Sequence, residues 1–110
     1  MIRIAIVDDE PLARQGVMSR LAGRDDVHVT GQYADGPAAL DGLRRLPPDL
    51  VFLDVQMPGL DGLDLLAALP AQDRPLAILL TAHAGFAVRA FALGAVDYLL
   101  KPIDDARFEE

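Results

Sequence analysis

The sequence predicts one α/β domain built on a parallel sheet, and three observations carry that reading. Short apolar runs alternate with helical patterns from one end of the chain to the other. The runs at 4–7, 50–53 and 76–80 hardly alternate between polar and apolar residues, as strands do when helices cover both faces of a parallel sheet. The connections between them are short, with no internal repeat or linker, and 110 residues suit a single core.

The first strand is expected over Ile2–Val7, a run of Ile, Ala and Val interrupted only by Arg3. Pro11 then fits the first turn of a helix reaching about Gly23, with Ala13, Val17, Met18 and Leu21 on one face. The second strand, Val27–Tyr33, carries His28, Thr30 and Gln32 at alternate positions and so reads as an edge. Asp35 is placed to cap a second helix, in which Ala39, Gly42, Leu43 and Leu46 share a face before Pro47-Pro48 stops it. The third strand covers 50–53, and a third helix follows over 63–69, before Pro70. The fourth strand covers 76–80, a fourth helix 84–93 and the fifth strand 96–100. Asp104 stands as the N-cap of a fifth helix, which is expected to be incomplete because the sequence stops at Glu110.

Composition narrows the function classes. The absence of cysteine removes disulfides, thiol chemistry and thiolate metal sites, and fits a reducing cytoplasm. The formal charge of −7 argues against direct nucleic-acid binding, which needs a basic face. No stretch approaches the roughly 20 apolar residues of a membrane span, and the short apolar start meets Asp8-Asp9 too soon for a signal peptide.

Functional groups of a parallel α/β sheet gather beyond the C-terminal ends of its strands. There the first strand ends in Asp8-Asp9, the third in Asp54, the fourth in Thr81 and the fifth in Lys101. Close carboxylates repel one another, and a desolvated one needs a partner. Mg²⁺ answers both costs and leaves coordination positions for a phosphate oxygen. Lys101 can bind a second phosphate oxygen as a point charge, and the Thr81 hydroxyl can donate to another. These groups describe phosphoryl transfer onto a carboxylate, with Asp54 as the nucleophile and metal and lysine balancing charge.

The four motifs that supply them are "IVDDEP", "FLDVQMPGLDG", "LLTA" and "VDYLLKP", in this order and on the expected elements. Together they make the chain resemble, over essentially its whole length, a response-regulator receiver domain of two-component signalling. The resemblance implies a flavodoxin-like, doubly wound sheet of strand order 2-1-3-4-5, with the fifth helix truncated and an output domain absent. It makes Asp54 the phosphoacceptor, loaded by a sensor histidine kinase, and Asp8 and Asp9 the acidic pair holding Mg²⁺. The backbone carbonyl of Gln56 becomes a further metal ligand, Thr81 and Lys101 contact the phosphoryl group, and Lys101-Pro102 is a cis peptide. Tyr98 becomes the switch aromatic that follows Thr81, altering a surface of the fourth helix, fifth strand and fifth helix in which Phe86, Val88 and Phe91 participate. "QMPGLDG" with "FALGAVDYLLKP" is most similar to receivers of LytTR-type regulators, whose C-terminal domain binds DNA. With the last helix incomplete, the exposed apolar surface is expected to be covered by self-association through the same face or by rearrangement of the C-terminal segment.

Each residue also has a plainer reading. Asp54 can cap the turn that follows it, Asp9 can cap the first helix, Thr81 can be an ordinary strand residue and Lys101 a solvated lysine. Tyr98 can be a packed or surface aromatic. Asp61 and Asp64 read as capping or solvated acids, and His28 and His83 do not form a ligand pair by spacing. His83 can face the site opening, and the small Ala82 leaves room for a phosphodonor. Two other functions compete. A phosphohydrolase with an Asp nucleophile places a second Asp two residues on as general acid, whereas Gln56 stands there. A pure interaction module would lack an acid, the threonine or the lysine. A flavin or nucleotide site on the same topology would want a glycine-rich loop where Asp-Asp-Glu-Pro stands.

Overall fold

The computed structural model describes residues 1–57, 59–69, 74–81 and 97–100. The elements in chain order are β1 (Ile2–Val7), α1 (Pro11–Leu21), β2 (Val27–Tyr33), α2 (Gly36–Arg45), β3 (Leu50–Asp54), α3 (Gly62–Ala68), β4 (Leu76–Thr81) and β5 (Asp97–Leu100). All neighbouring strands pair in parallel, in the order β2-β1-β3-β4-β5. The expected fourth and fifth helices, with Lys101, Pro102 and Asp104, lie outside the described residues.

The unbroken apolar strands follow from a core on each side of the sheet. Successive residues of a strand face opposite ways. Ile4 and Ile6 of β1, Phe52 of β3 and Leu80 of β4 pack with Val17 and Leu21 of α1. Ala5 and Val7, Val51 and Leu53, and Ala77 and Leu79 pack on the other side with Ala39 and Leu43 of α2 and Leu63, Leu65 and Leu66 of α3. Neither face can tolerate a polar residue, so no alternation survives in the sequence. In β2, at the sheet edge, His28 and Gln32 are exposed while Val27 and Val29 are half-buried.

The register of β1 against β3 is fixed at the N-terminal end of the pair. The Asp49 N–H donates to the Arg3 carbonyl at 2.8 Å, and the Arg3 N–H donates to Asp49 Oδ2 at 2.9 Å. The Arg3 guanidinium completes the clamp through Nη2 to Asp49 Oδ1 at 3.2 Å. This side-chain hydrogen bond holds the Asp49 carboxyl below its ordinary range. A depressed folded-state value stabilises the fold above the ordinary carboxylate pKa, and that contribution fades as pH falls through the folded value. Both side chains are about half exposed, so solvent screening keeps the ion pair itself weak. Its role is to choose the register, in which Ile4 pairs with Leu50 and Val7 with Leu53.

Helix ends follow the residues that can satisfy them, with differences from the sequence reading. Asp35 caps α2 as expected, accepting the Ala38 N–H at 2.7 Å, and Asp61 caps α3 in the same way at 2.8 Å. Helix α1 stops at Leu21 rather than Gly23, because Ala22 is already extended and Gly23 takes a positive φ of 83°. Leu46 is not on the buried face of α2; it is the C-cap, 47% exposed, turned outward as the chain runs into Pro47-Pro48. Gly42 is present because the Tyr33 ring occupies the space where its Cβ would lie, 2.3 Å away.

The packing contrast can be measured directly. Leu65 is fully buried and Leu12 is 80% exposed. Leu65→Ala should lower the urea-unfolding free energy by about 2–5 kcal/mol, whereas Leu12→Ala should change it by less than about 0.5 kcal/mol. Equal losses at the two positions would contradict this burial pattern.

Candidate phosphoacceptor and metal site

Asp8 and Asp54 meet because of strand register and parity. Val7 pairs with Leu53, so the next residues, Asp8 and Asp54, leave adjacent strands side by side. Asp8 is two residues beyond Ile6, and Asp54 is two beyond Phe52, so each continues the strand face that packs against α1. Both are buried, Asp8 at 0% and Asp54 at 2% relative exposure, and they are the buried acids among the described residues. Asp54 is the last residue of β3, one position longer than the expected strand.

The surrounding backbone fixes these two side chains. The Asp8 N–H donates to the Tyr33 carbonyl at 3.0 Å, extending the β1–β2 ladder by one residue. Asp8 Oδ1 accepts the Glu10 N–H at 3.0 Å, and Arg14 Nη1 from α1 donates to the Asp8 carbonyl at 2.6 Å. Asp54 Oδ1 accepts the Gln56 N–H at 3.3 Å, so the turn-capping reading of Asp54 holds alongside any chemical one. It is Glu10, not Asp9, that occupies the N-cap position of α1.

The loop after Asp54 is held by close backbone packing. The Val55 N–H donates to the Leu80 carbonyl at 3.1 Å, and the Gly62 N–H donates to the Val55 carbonyl at 2.9 Å. A Cβ at Gly62 would lie 2.1 Å from the Asp54 carbonyl oxygen, so only glycine fits. Gly59 supplies the turn with a positive φ of 79°. Gln56 is exposed on this loop, while Val55 and Met57 are buried.

Four carboxylates converge at the strand ends. Asp8, Asp9, Glu10 and Asp54 each offer an oxygen, and these oxygens lie within 4.8 Å of one another. Asp9 is half-buried and Glu10 exposed, so the group runs from the interior to the surface. A hard divalent cation suits such a donor set, since it takes oxygen ligands and offsets the mutual repulsion of the buried acids. The sequence reading assigned Asp8, Asp9 and Asp54 and missed Glu10, the third acid of the "DDE" run. The signal lay in that run, where three successive acids leave one strand end.

The other expected site residues are placed to different degrees. Thr81 ends β4, one residue past Leu80, whose partner on β3 is Asp54. Tyr98 lies in β5, paired with Leu79 of β4. Lys101, the Lys101-Pro102 peptide, Ala82 and His83 lie outside the described residues.

Comparison with known proteins gives one consistent result. The family model of the response regulator receiver domain matches residues 4–110. The transcriptional regulatory protein BtsR of Salmonella typhi is 44% identical over 110 residues, covering 100% of this chain and 46% of that protein. BtsR of Escherichia coli K12 is 42% identical over the same span. The chain therefore spans about half the length of the curated relatives it matches. Among solved structures, the response regulatory domain of mrkE from Klebsiella pneumoniae aligns with a TM-score of 0.88 at 34% identity, over 97% of this chain and 88% of that one. The REC domain of AraT from Geobacillus stearothermophilus aligns with a TM-score of 0.86 at 31% identity, over 98% and 87% of the two chains.

Removing one buried acid should separate metal binding from folding. Asp8→Ala is expected to weaken Mg²⁺ binding by about 10-fold or more in a calorimetric titration, with an unchanged far-ultraviolet circular dichroism spectrum. Wild-type Mg²⁺ affinity in the folded variant would remove Asp8 from the metal site.

Proposed function

The chain belongs to the response regulator receiver family, and on that premise we propose that it is a phosphorylation-controlled switch with Asp54 as the phosphoacceptor. The observation that carries the proposal is the β1–β3 register, which sets the buried Asp8 and Asp54 side by side at the C-terminal edge of the sheet. Two buried carboxylates with oxygens within 4.8 Å of a third and fourth are costly for folding alone, and such cost is characteristic of groups retained for chemistry.

An Asp54 carboxylate oxygen attacks the phosphorus of the donor as its bond to the leaving group breaks. The leaving group keeps the bonding electrons, and a phosphohistidine donor departs as histidine after taking up a proton. Asp8 and Asp9, with Asp54 itself and the carbonyl of Gln56, would hold Mg²⁺. When bound, that ion neutralises charge on the phosphoryl oxygens. Asp54 is already oriented by the Gln56 N–H on one oxygen. Its strand end is tied to β4 by the Val55–Leu80 hydrogen bond, beside Thr81. The Thr81 hydroxyl and Lys101 ammonium are assigned to the phosphoryl oxygens, and Tyr98 to the switch that relays their movement. The Lys101-Pro102 peptide is assigned the cis form.

The sensor histidine kinase is the natural phosphodonor for such a site. Relatives named as transcriptional regulatory proteins, each about twice as long, support a linked output domain that acts on DNA. The "QMPGLDG" and "FALGAVDYLLKP" motifs favour the LytTR type, with the surface of helix 4, strand 5 and helix 5 as the readout and as a site of self-association. Among the described residues no helix is long and apolar enough to cross a membrane, and a cytoplasmic location fits a partner that uses phosphohistidine. Direct nucleic-acid binding by this acidic domain is not part of the proposal.

Incubation with Mg²⁺ and acetyl phosphate should add one phosphoryl mass in intact-protein mass spectrometry. Asp54→Asn should abolish the adduct while retaining the fold. An adduct that survives this substitution would move the acceptor elsewhere, and rapid multiple turnover of a free metabolite phosphate would favour the hydrolase reading instead.

A further inference from the structure

We infer that Arg14 is a positioning residue of the metal site: its guanidinium holds the main chain of Asp8 in the conformation that presents the Asp8 carboxylate to a divalent cation. This role rests on the reading of Asp8 as a metal ligand and deepens it.

The bond that carries the role runs from α1 back to the end of β1. Arg14 Nη1 donates to the Asp8 carbonyl at 2.6 Å, shorter than an ordinary amide hydrogen bond, as a charged donor makes it. The sequence between the two residues shows why a side chain is used. Asp8 to Pro11 span four residues, the length of a turn closed by the first carbonyl and the fourth N–H. Pro11 stands at that fourth position and has no N–H to give. Proline suits the first turn of α1, but the turn before it loses its closing donor. Arg14, three residues further on, supplies one.

The position of Arg14 on α1 points the same way. Arg14, Val17 and Leu21 are spaced i, i+3, i+7, and Val17 and Leu21 are buried. Arg14 therefore starts from the face that α1 turns to the sheet, and it is half-buried. A charge on that face needs a polar partner, and the Asp8 carbonyl is one. That carbonyl belongs to the planar peptide joining Asp8 to Asp9, so fixing it fixes how the two acids stand relative to each other. Three further bonds share the task. The Asp8 N–H donates to the Tyr33 carbonyl at 3.0 Å, and the Arg14 N–H donates to the Glu10 carbonyl at 3.1 Å. The Glu10 N–H donates to Asp8 Oδ1 at 3.0 Å. With the guanidinium bond, the last two close a ring from Asp8 through Glu10 to Arg14 and back.

Charge and position predict opposite signs. As a bare positive charge, Arg14 would repel the cation, and its removal would tighten Mg²⁺ binding. As the group that holds Asp8, its removal weakens binding. Arg14→Met keeps the apolar stem and removes charge and donor, whereas Arg14→Lys keeps a charge and a donor. In titration calorimetry of the intact chain, Arg14→Met should weaken Mg²⁺ binding by about 10-fold. Arg14→Lys should fall between Arg14→Met and the wild type, because an ammonium holds the carbonyl as a point charge without the rigid fork. Urea unfolding without Mg²⁺ reports on the fold separately. A purely structural role lowers that stability and leaves the Mg²⁺ affinity of the folded protein unchanged. Unchanged or tighter binding in folded Arg14→Met overturns the inference, and so does Arg14→Lys binding no better than Arg14→Met. Should Arg14→Met fail to fold, Arg14→Lys decides alone: binding weaker than wild type upholds the role, and equal or tighter binding overturns it. A wild-type chain that binds no Mg²⁺ overturns the metal-site reading and this role together, whereas a wild type that binds and an Arg14→Met that binds equally well overturn this role alone.

Discussion

The structure turns on two like charges brought together at the end of a sheet. Asp8 and Asp54 leave neighbouring strands in register, on the same strand face and with almost no exposure to water. Carboxylates in that position repel each other and forgo hydration, which opposes folding unless a counter-charge is present. The remaining architecture can be read as what holds them there. The Arg3–Asp49 clamp at the opposite end of the strands selects the register. The two apolar layers bury the strands so completely that a one-residue slip would turn every side chain to the wrong face.

The loop beyond Asp54 shows the same economy. It must turn sharply and keep its backbone amides satisfied. Gly59 supplies the positive φ, and Gly62 allows α3 to begin against the Asp54 carbonyl. The Val55–Leu80 hydrogen bond joins this loop to β4. The strand that ends in Asp54 is therefore paired on one side with β1 and on the other with the strand that ends in Thr81. A charge change at Asp54 has a short, hydrogen-bonded route to β4 through Val55 and Leu80.

Much of this was legible in the sequence, for identifiable reasons. Strands buried on both faces leave continuous apolar runs, so their positions, and the acids that end them, stand out. Asp35 is legible as a cap because a short acidic side chain before a helix has few other uses, whereas Asp61 reads equally as a cap or a solvated acid until the fold shows it capping α3. The pattern was weaker where backbone geometry decides. Leu46 has the spacing of a buried helix residue, yet the following prolines pull it out of the helix. Gly23 marks the end of α1 but is not its last helical residue, since the chain is extended from Ala22. Glu10 was hidden because a helix N-cap and a site residue look alike in one dimension. Only the fold shows that its carboxylate turns towards Asp54. The register of β1 against β3, on which the site depends, has no local signature at all. It is set by Arg3 and Asp49, which are 46 residues apart.

The most direct measurement is the dependence of folding stability on Mg²⁺ for the wild type and for Asp8→Asn, by urea denaturation at fixed ionic strength. If the acids are held together for a cation, the variant should be the more stable protein without Mg²⁺, because one repelling charge is gone. The wild type should then gain stability with the logarithm of Mg²⁺ concentration, as a ligand specific to the folded state requires, and the two lines should cross. Parallel lines, with no greater Mg²⁺ stabilisation of the wild type, would contradict the claim that this charged pair exists to bind a cation.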